Sequence, residues 1–164
     1  MASVPTTLQR YIVPGGVLSD TGHLLRERGQ RGLEAVVLWV GTVEDDTTAT
    51  VTHAIRPGQV AYRDAGGGCA VEVPPDALSD VIRTLPSNHF VLVRVHTHPG
   101  PAYHSKVDDT NMLIGHEGAI SIVVPDFAAA AMELSACSVN QLTHSRGWVE
   151  LTPAQVRARF EVLA

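Results

Sequence analysis

The sequence predicts an α/β (α+β) domain, a mixed central β-sheet flanked by helices, with residues 1–164 forming a single domain. Three observations carry that expectation. Apolar, β-branched runs of strand length recur at Leu33–Gly41, Phe90–Val95 and Ala119–Val124. Segments with helical spacing of apolar residues lie between them. Pro, Gly or clustered acids separate the two kinds.

In chain order, Leu8–Val13 reads as an edge strand or arm between Pro5 and Pro14-Gly15-Gly16. Ser19 and Asp20 offer cap oxygens to a helix running through Leu24, Leu25 and Arg26 toward Arg28, with Gly29 and Gly32 as stops. Leu33–Gly41 is a nearly continuous apolar strand with one acid, Glu34, and an ionised carboxylate in a core is costly unless paired or bound. Glu44–Thr47 is a turn, and Ala49–Ile55 returns as the second strand of a hairpin. Arg56–Gly68 reads as loop. No Lys-Ser/Thr follows Gly66-Gly67-Gly68, which argues against a nucleotide-binding loop.

Cys69–Val73 is a short strand, and Pro75–Leu85 places Leu78, Val81, Ile82 and Leu85 at helical spacing before Pro86. Phe90–Val95 is a buried strand that delivers His96 and His98 at its C-terminal end. Ser105 caps a helix through Val107, Asn111, Met112 and Ile114, ending at Gly115 or Gly118. Ala119–Val124 is a strand stopped by Pro125, and Ala128–Met132 fits helix or loop. Ala136–Thr143 and Gly147–Leu151 form a last hairpin, and Thr152-Pro153-Ala154-Gln155 opens a terminal helix carrying Val156, Phe160 and Leu163.

Apolar residues make up 45% of the chain and charged ones 18%, so the chain is globular rather than disordered. The net charge of −5, with no basic stripe, argues against nucleic acid or anionic membrane as the main partner. Cys69 and Cys137 form no C-x-x-C and no secreted framework; with no leader-like N-terminus or membrane-length apolar run, the expected setting is cytoplasmic and reducing. Cys69 reads as a buried thiol, since no histidine is placed to activate it.

The chemistry concentrates in His96-Thr97-His98-Pro99 and Ser105-Lys106-Val107-Asp108. Alternate residues of a strand share a face, so His96 and His98 point the same way. A catalytic zinc needs three protein ligands and an open position, and two histidines plus the carboxylate of Asp108 supply that count. A further carboxylate must take a proton from water, and Glu34 is the candidate general base. Ser105 lies one helical turn before Asp108, where its hydroxyl could donate to an oxyanion or simply cap the helix. His104 reads as an exposed loop histidine, and Trp39 and Trp148 as core or core-edge residues.

His96-Thr97-His98-Pro99, Ser105-x-x-Asp108 and the upstream Glu34 in Leu33–Leu38 together resemble the JAMM (MPN+) zinc metallopeptidases, over residues 18–125. The resemblance implies a cytidine-deaminase-like JAMM/MPN fold and zinc-dependent isopeptidase or peptidase activity at the C-terminal tail of ubiquitin or a ubiquitin-like protein. It implies His96, His98 and Asp108 as zinc ligands, Glu34 as general base and Ser105 as the oxyanion-side donor, with E1- and E2-like proteins as associates. Pro99 and Ser105 enclose five residues where the family commonly has seven. The family's spacing from the second histidine therefore favours Asp109, whereas the S-x-x-D phase favours Asp108. Two rival functions remain: a non-catalytic MPN-type scaffold that binds a partner, and a zinc hydrolase that processes a sulfur-carrier protein. Deamination is disfavoured, because the H-x-E with P-C-x-x-C pattern is missing.

Overall fold

In the computed structural model, which describes residues 4–106, 108 and 113–164, an eight-stranded mixed sheet forms the centre of the molecule. The chain runs β1 (Arg10–Pro14), α1 (Gly15–Gly29), β2 (Val36–Val43), β3 (Thr48–Ile55), β4 (Val60–Arg63), β5 (Cys69–Glu72), α2 (Pro75–Thr84) and β6 (His89–Thr97). It continues through β7 (Ile120–Val124), β8 (Ser138–Thr143), β9 (Gly147–Glu150), α3 (Pro153–Arg159) and β10 (Phe160–Leu163). The sheet order is β10-β1-β3-β2-β6-β7-β8-β9, with β4 and β5 as a separate antiparallel pair.

β2 explains why its sequence is apolar without alternation. Val37 and Trp39 point into one cluster with Leu25 of α1, Val93 and Val95, while Val36 and Leu38 point into another with Val71, Val73 and Val81. Both faces are covered, so both sets of alternating side chains are buried. Trp39 is fully buried, and its indole N–H donates to the Thr21 hydroxyl at 2.8 Å. The pairing of β2 with β3 shifts register between Val40 and Gly41, where any side chain would run into the Thr50 carbonyl.

Several expectations need correction. α1 begins directly after Pro14, with Gly15-Gly16 inside it, rather than at Ser19; a proline preceding the first turn sets the entry backbone. Glu34 precedes β2 instead of lying within a strand from Leu33. Val60–Arg63, inside the expected Arg56–Gly68 loop, is a strand paired with β5. The terminal helix stops at Arg159, and Phe160–Leu163 pairs in parallel with β1. For Ala128–Met132, which fits helix or loop by sequence, the structure decides for loop following a 3-10 turn over Asp126–Ala128. Lys106 and Asp108 have helical backbone, Leu113 and Ile114 do not, and the expected helix positions Val107, Asn111 and Met112 lie outside the described residues.

Candidate metal centre

β6 is the fifth strand of the sheet, and it carries the histidines. Its antiparallel register places His96 opposite Val36 and Arg94 opposite Leu38, so both point to the face covered by α2 and the β4–β5 pair. Beyond His96 the backbone stays locked: Thr97 N–H donates to the Ala35 carbonyl at 3.1 Å, and Ala35 N–H donates to the Thr97 hydroxyl at 3.0 Å. His98 N–H donates to Val124 O at 3.0 Å, and its carbonyl accepts from Phe127 N–H at 2.9 Å. Asp126, Phe127 and Ala128 all have φ between 52° and 57°, a left-handed turn of non-glycine residues directly behind this point. Arg26 of α1 ties that turn down by donating to Ala128 O at 2.9 Å and Ala130 O at 3.1 Å.

Asp108 arrives from the connection between the parallel strands β6 and β7. Ser105 and Asp108 cap one another: the Asp108 N–H donates to the Ser105 hydroxyl oxygen at 3.2 Å, and the Ser105 N–H donates to Asp108 Oδ2 at 2.7 Å. This reciprocal pair is the capping-box arrangement with an aspartate at its third position. It turns the carboxylate toward the histidines. His96 Nε2 lies 3.0 Å from Asp108 Oδ1, and His98 Nε2 lies 3.3 Å from Oδ2. All three residues are buried, and their ligand atoms lie within 4.8 Å of one another.

These atoms fit a metal ion. Ligands about 2.0–2.1 Å from a tetrahedral zinc stand about 3.3 Å apart; His96 Nε2 and Asp108 Oδ1 stand 3.0 Å apart, and the three donor atoms lie within 4.8 Å of one another. Neither nitrogen of the buried His96 ring has a hydrogen-bond partner of proper direction, although Asp108 is near, and such orphaned nitrogens are rare unless something else satisfies them. Burial, aided by Arg94, pushes the His96 imidazolium down to about 4, so the ring is neutral and its lone pair is available at neutral pH. Burial works against an ionised Asp108, yet its contacts with His96, His98 and the Ser105 N–H prevail and hold it well below the usual carboxylate range.

Glu34 lines the same cleft as His98 and Asp108. Burial is the main cause pushing its carboxyl up, with Asp108 adding to it and His98 and Arg94 opposing. Glu34, His98, Ser105 and Asp108 line one cleft of about 440 Å³, walled by Gly67 to Val71 and by Pro99, Gly100, Pro101 and Tyr103. Tyr103 is exposed and meets the His98 ring edge-on, with centroids 4.8 Å apart.

The structure therefore brings Glu34, His96, His98, Ser105 and Asp108 together, while Asp109 lies outside the described residues. Cys69 is half-buried in the cleft wall rather than enclosed in the core. His104 is half-buried too, its ring tilted by 33° against Trp148 with centroids 4.8 Å apart. Arg94 was not apparent from sequence. It is 3% exposed, and its guanidinium reaches Asp108. The signal that singled out Glu34, one charge inside an apolar strand run, applies equally to Arg94 in Phe90–Val95.

No protein-family model matches the chain. A curated protein of Sinorhizobium fredii (strain NBRC 101917 / NGR234), named "Probable metalloprotease y4jG", is 32% identical over 149 residues, covering 90% of both chains. The solution structure of protein DSY2949 from Desulfitobacterium hafniense matches with a TM-score of 0.61 at 15% identity, over 93% of this chain and 92% of that one; it shows likeness of fold alone.

Proposed function

From the premise that the chain belongs to the family of the Sinorhizobium metalloprotease, we propose that it is a zinc-dependent peptidase of the JAMM type, acting on the C-terminal tail of a ubiquitin-like protein. The observation that supports this reading best is the convergence of His96, His98 and Asp108 beside a buried glutamate in one open cleft. The chemistry a zinc ion supplies in such a set is Lewis acidity, toward a carbonyl oxygen and toward water.

The chain's own residues divide the remaining work. Two carboxylates in one cleft have their proton affinities pushed apart, which is how a site separates a base from a permanently ionised group. Glu34, the raised one, takes the proton from the attacking water and returns it to the leaving amine nitrogen. Asp108, the depressed one, stays ionised as a ligand. The Ser105 oxygen already accepts the Asp108 N–H, so the hydroxyl proton is left to donate to the oxyanion that develops on the scissile carbonyl. The cleft lining includes Gly67, Gly68, Ala70 and Pro99 to Pro101, which suits an extended tail of small residues.

The test is to incubate the protein with ubiquitin-like proteins, sulfur carriers among them, that bear C-terminal extensions. Cleavage is expected to stop on chelation and return with zinc. Glu34→Ala is expected to keep its zinc and lose about 10²–10⁴ of the rate. Chelator-insensitive cleavage, or full activity in Glu34→Ala, overturns the mechanism. A purified protein that takes up no zinc would instead fit the scaffold reading.

A further inference from the structure

We propose that Arg94 is a positioning residue for the third ligand, tying Asp108 to the strand that carries both histidines. This rests on the reading of His96, His98 and Asp108 as metal ligands. Arg94 and His96 are alternate residues of β6 with the same outlook, and the side chain of Arg94 is 3% exposed. From there its planar guanidinium contacts Asp108 twice. Nη1 donates to the Asp108 main-chain carbonyl at 3.4 Å, and Nη2 lies 3.8 Å from Oδ1. One fork thus addresses both the backbone and the carboxylate of the same residue, which an ammonium cannot do with fixed geometry.

The other support of Asp108 has a different character. The Ser105 cap is internal to the segment that carries Asp108, so it shapes that segment without relating it to the sheet. Arg94 supplies the relation. Its cross-strand neighbours are Leu38 on β2 and Ser121 on β7, and among the described residues Asp108 and Glu34 are acids that act on it. Burying a permanent cation in such a row is a poor way to fill space, because an apolar side chain of similar volume generally serves stability as well or better. A cation at this point makes sense as a fixture for the carboxylate. It also adds a fixed positive charge beside Asp108 from a residue that does not line the cleft.

The test uses zinc and cobalt as probes on the whole chain. Arg94→Met keeps the length and removes the fork; Arg94→Lys keeps the charge and removes only the fork. Zinc affinity, measured by competition with a chelator, is expected to fall about 10–100-fold in Arg94→Met, the range found when partners that orient ligands are lost. The cobalt d–d bands should shift in the same variant, and Arg94→Lys should fall between it and the parent in both readouts. In an Asp108→Asn background, Arg94→Met should change cobalt affinity no further. Folded Arg94→Met with parental affinity and bands overturns the proposal, as does an equal loss in the Asp108→Asn background. Should Arg94→Met fail to fold, parental affinity and bands in Arg94→Lys overturn it. A parent protein that binds neither metal overturns the ligand reading itself, a result distinct from a normal parent with unaffected variants.

Discussion

His96 and His98 belong to a strand hydrogen-bonded on both sides and to its immediate continuation, whereas Asp108 comes from a connection whose Pro99, Pro101, Tyr103 and Lys106 are exposed. On the strand side, the neighbours Ala35 and Val124 set the backbone, and the side chains follow from the alternation of a strand. On the crossover side, one reciprocal Ser105–Asp108 cap and the reach of Arg94 set the position. The difference teaches that a buried His-His-Asp cluster can combine two members fixed by the architecture with one fixed by local side-chain chemistry. Changes to the two sides should therefore differ in size and in kind.

The largest expected contrast is in acid. His96 has its pKa lowered from 6.5 to about 4, so the unfolded chain takes up a proton below 6.5 while the folded one does not until about 4. Stability from this residue is present above 6.5 and is lost as pH falls toward 4, amounting to about 3 kcal/mol at 1.36 kcal/mol per unit. The contribution of Asp108, whose pKa is lowered, is present above its unfolded value of about 3.9 and is lost only as pH falls below that. Urea unfolding of metal-free protein should show the histidine loss first; a flat profile between pH 6.5 and 4 would break the comparison.

Next in size is Thr97→Val, which leaves the buried Ala35 N–H without its acceptor. It should cost about 2 kcal/mol in the same unfolding measurement and lower zinc affinity by displacing both histidines. Ser105→Ala removes the cap on the other side and should cost about 1 kcal/mol, with its main effect on the reaction rate rather than on unfolding. Smallest is Tyr103→Ala. The ring is exposed, so stability should stay within about 0.5 kcal/mol, and a change in KM for a tail peptide is the expected readout. A larger loss from Ser105→Ala than from Thr97→Val would reverse the assignment of which side is architectural.

The sheet centre was legible in the sequence because its strands are doubly buried and therefore unambiguous: β2, β6 and β7 are apolar at successive positions and end at Pro, Gly or polar turns. That His96, His98 and Asp108 come together was legible for a local reason, the i, i+2 histidines and the S-x-x-D cap, both read from spacing alone. What failed lies at the edges. Val156, Phe160 and Leu163 have helical spacing, but Phe160–Leu163 is also a good strand, and pairing with Tyr11 to Pro14, including a stack of Phe160 on Tyr11 at 5.1 Å, decides for the sheet. β4 is exposed along most of its length, so it carries no apolar pattern to distinguish it from loop. Arg94 was hidden by the success of its neighbours, because an apolar strand reads as core whether or not one of its residues is charged.

β6 has four strands on one side of it and three on the other. Edge strands open and close at little expense, whereas a central strand releases its amide protons only when the whole sheet comes apart. In deuterated water the amides of Val95, His96 and Thr97 should thus be among the last to exchange, long after those of β9 and β10. The histidine pair, His96 on the strand and His98 just beyond it, would persist through the partial openings that a folded chain makes continually, and if the proposed metal ion left during such an opening it would find both still in register on return.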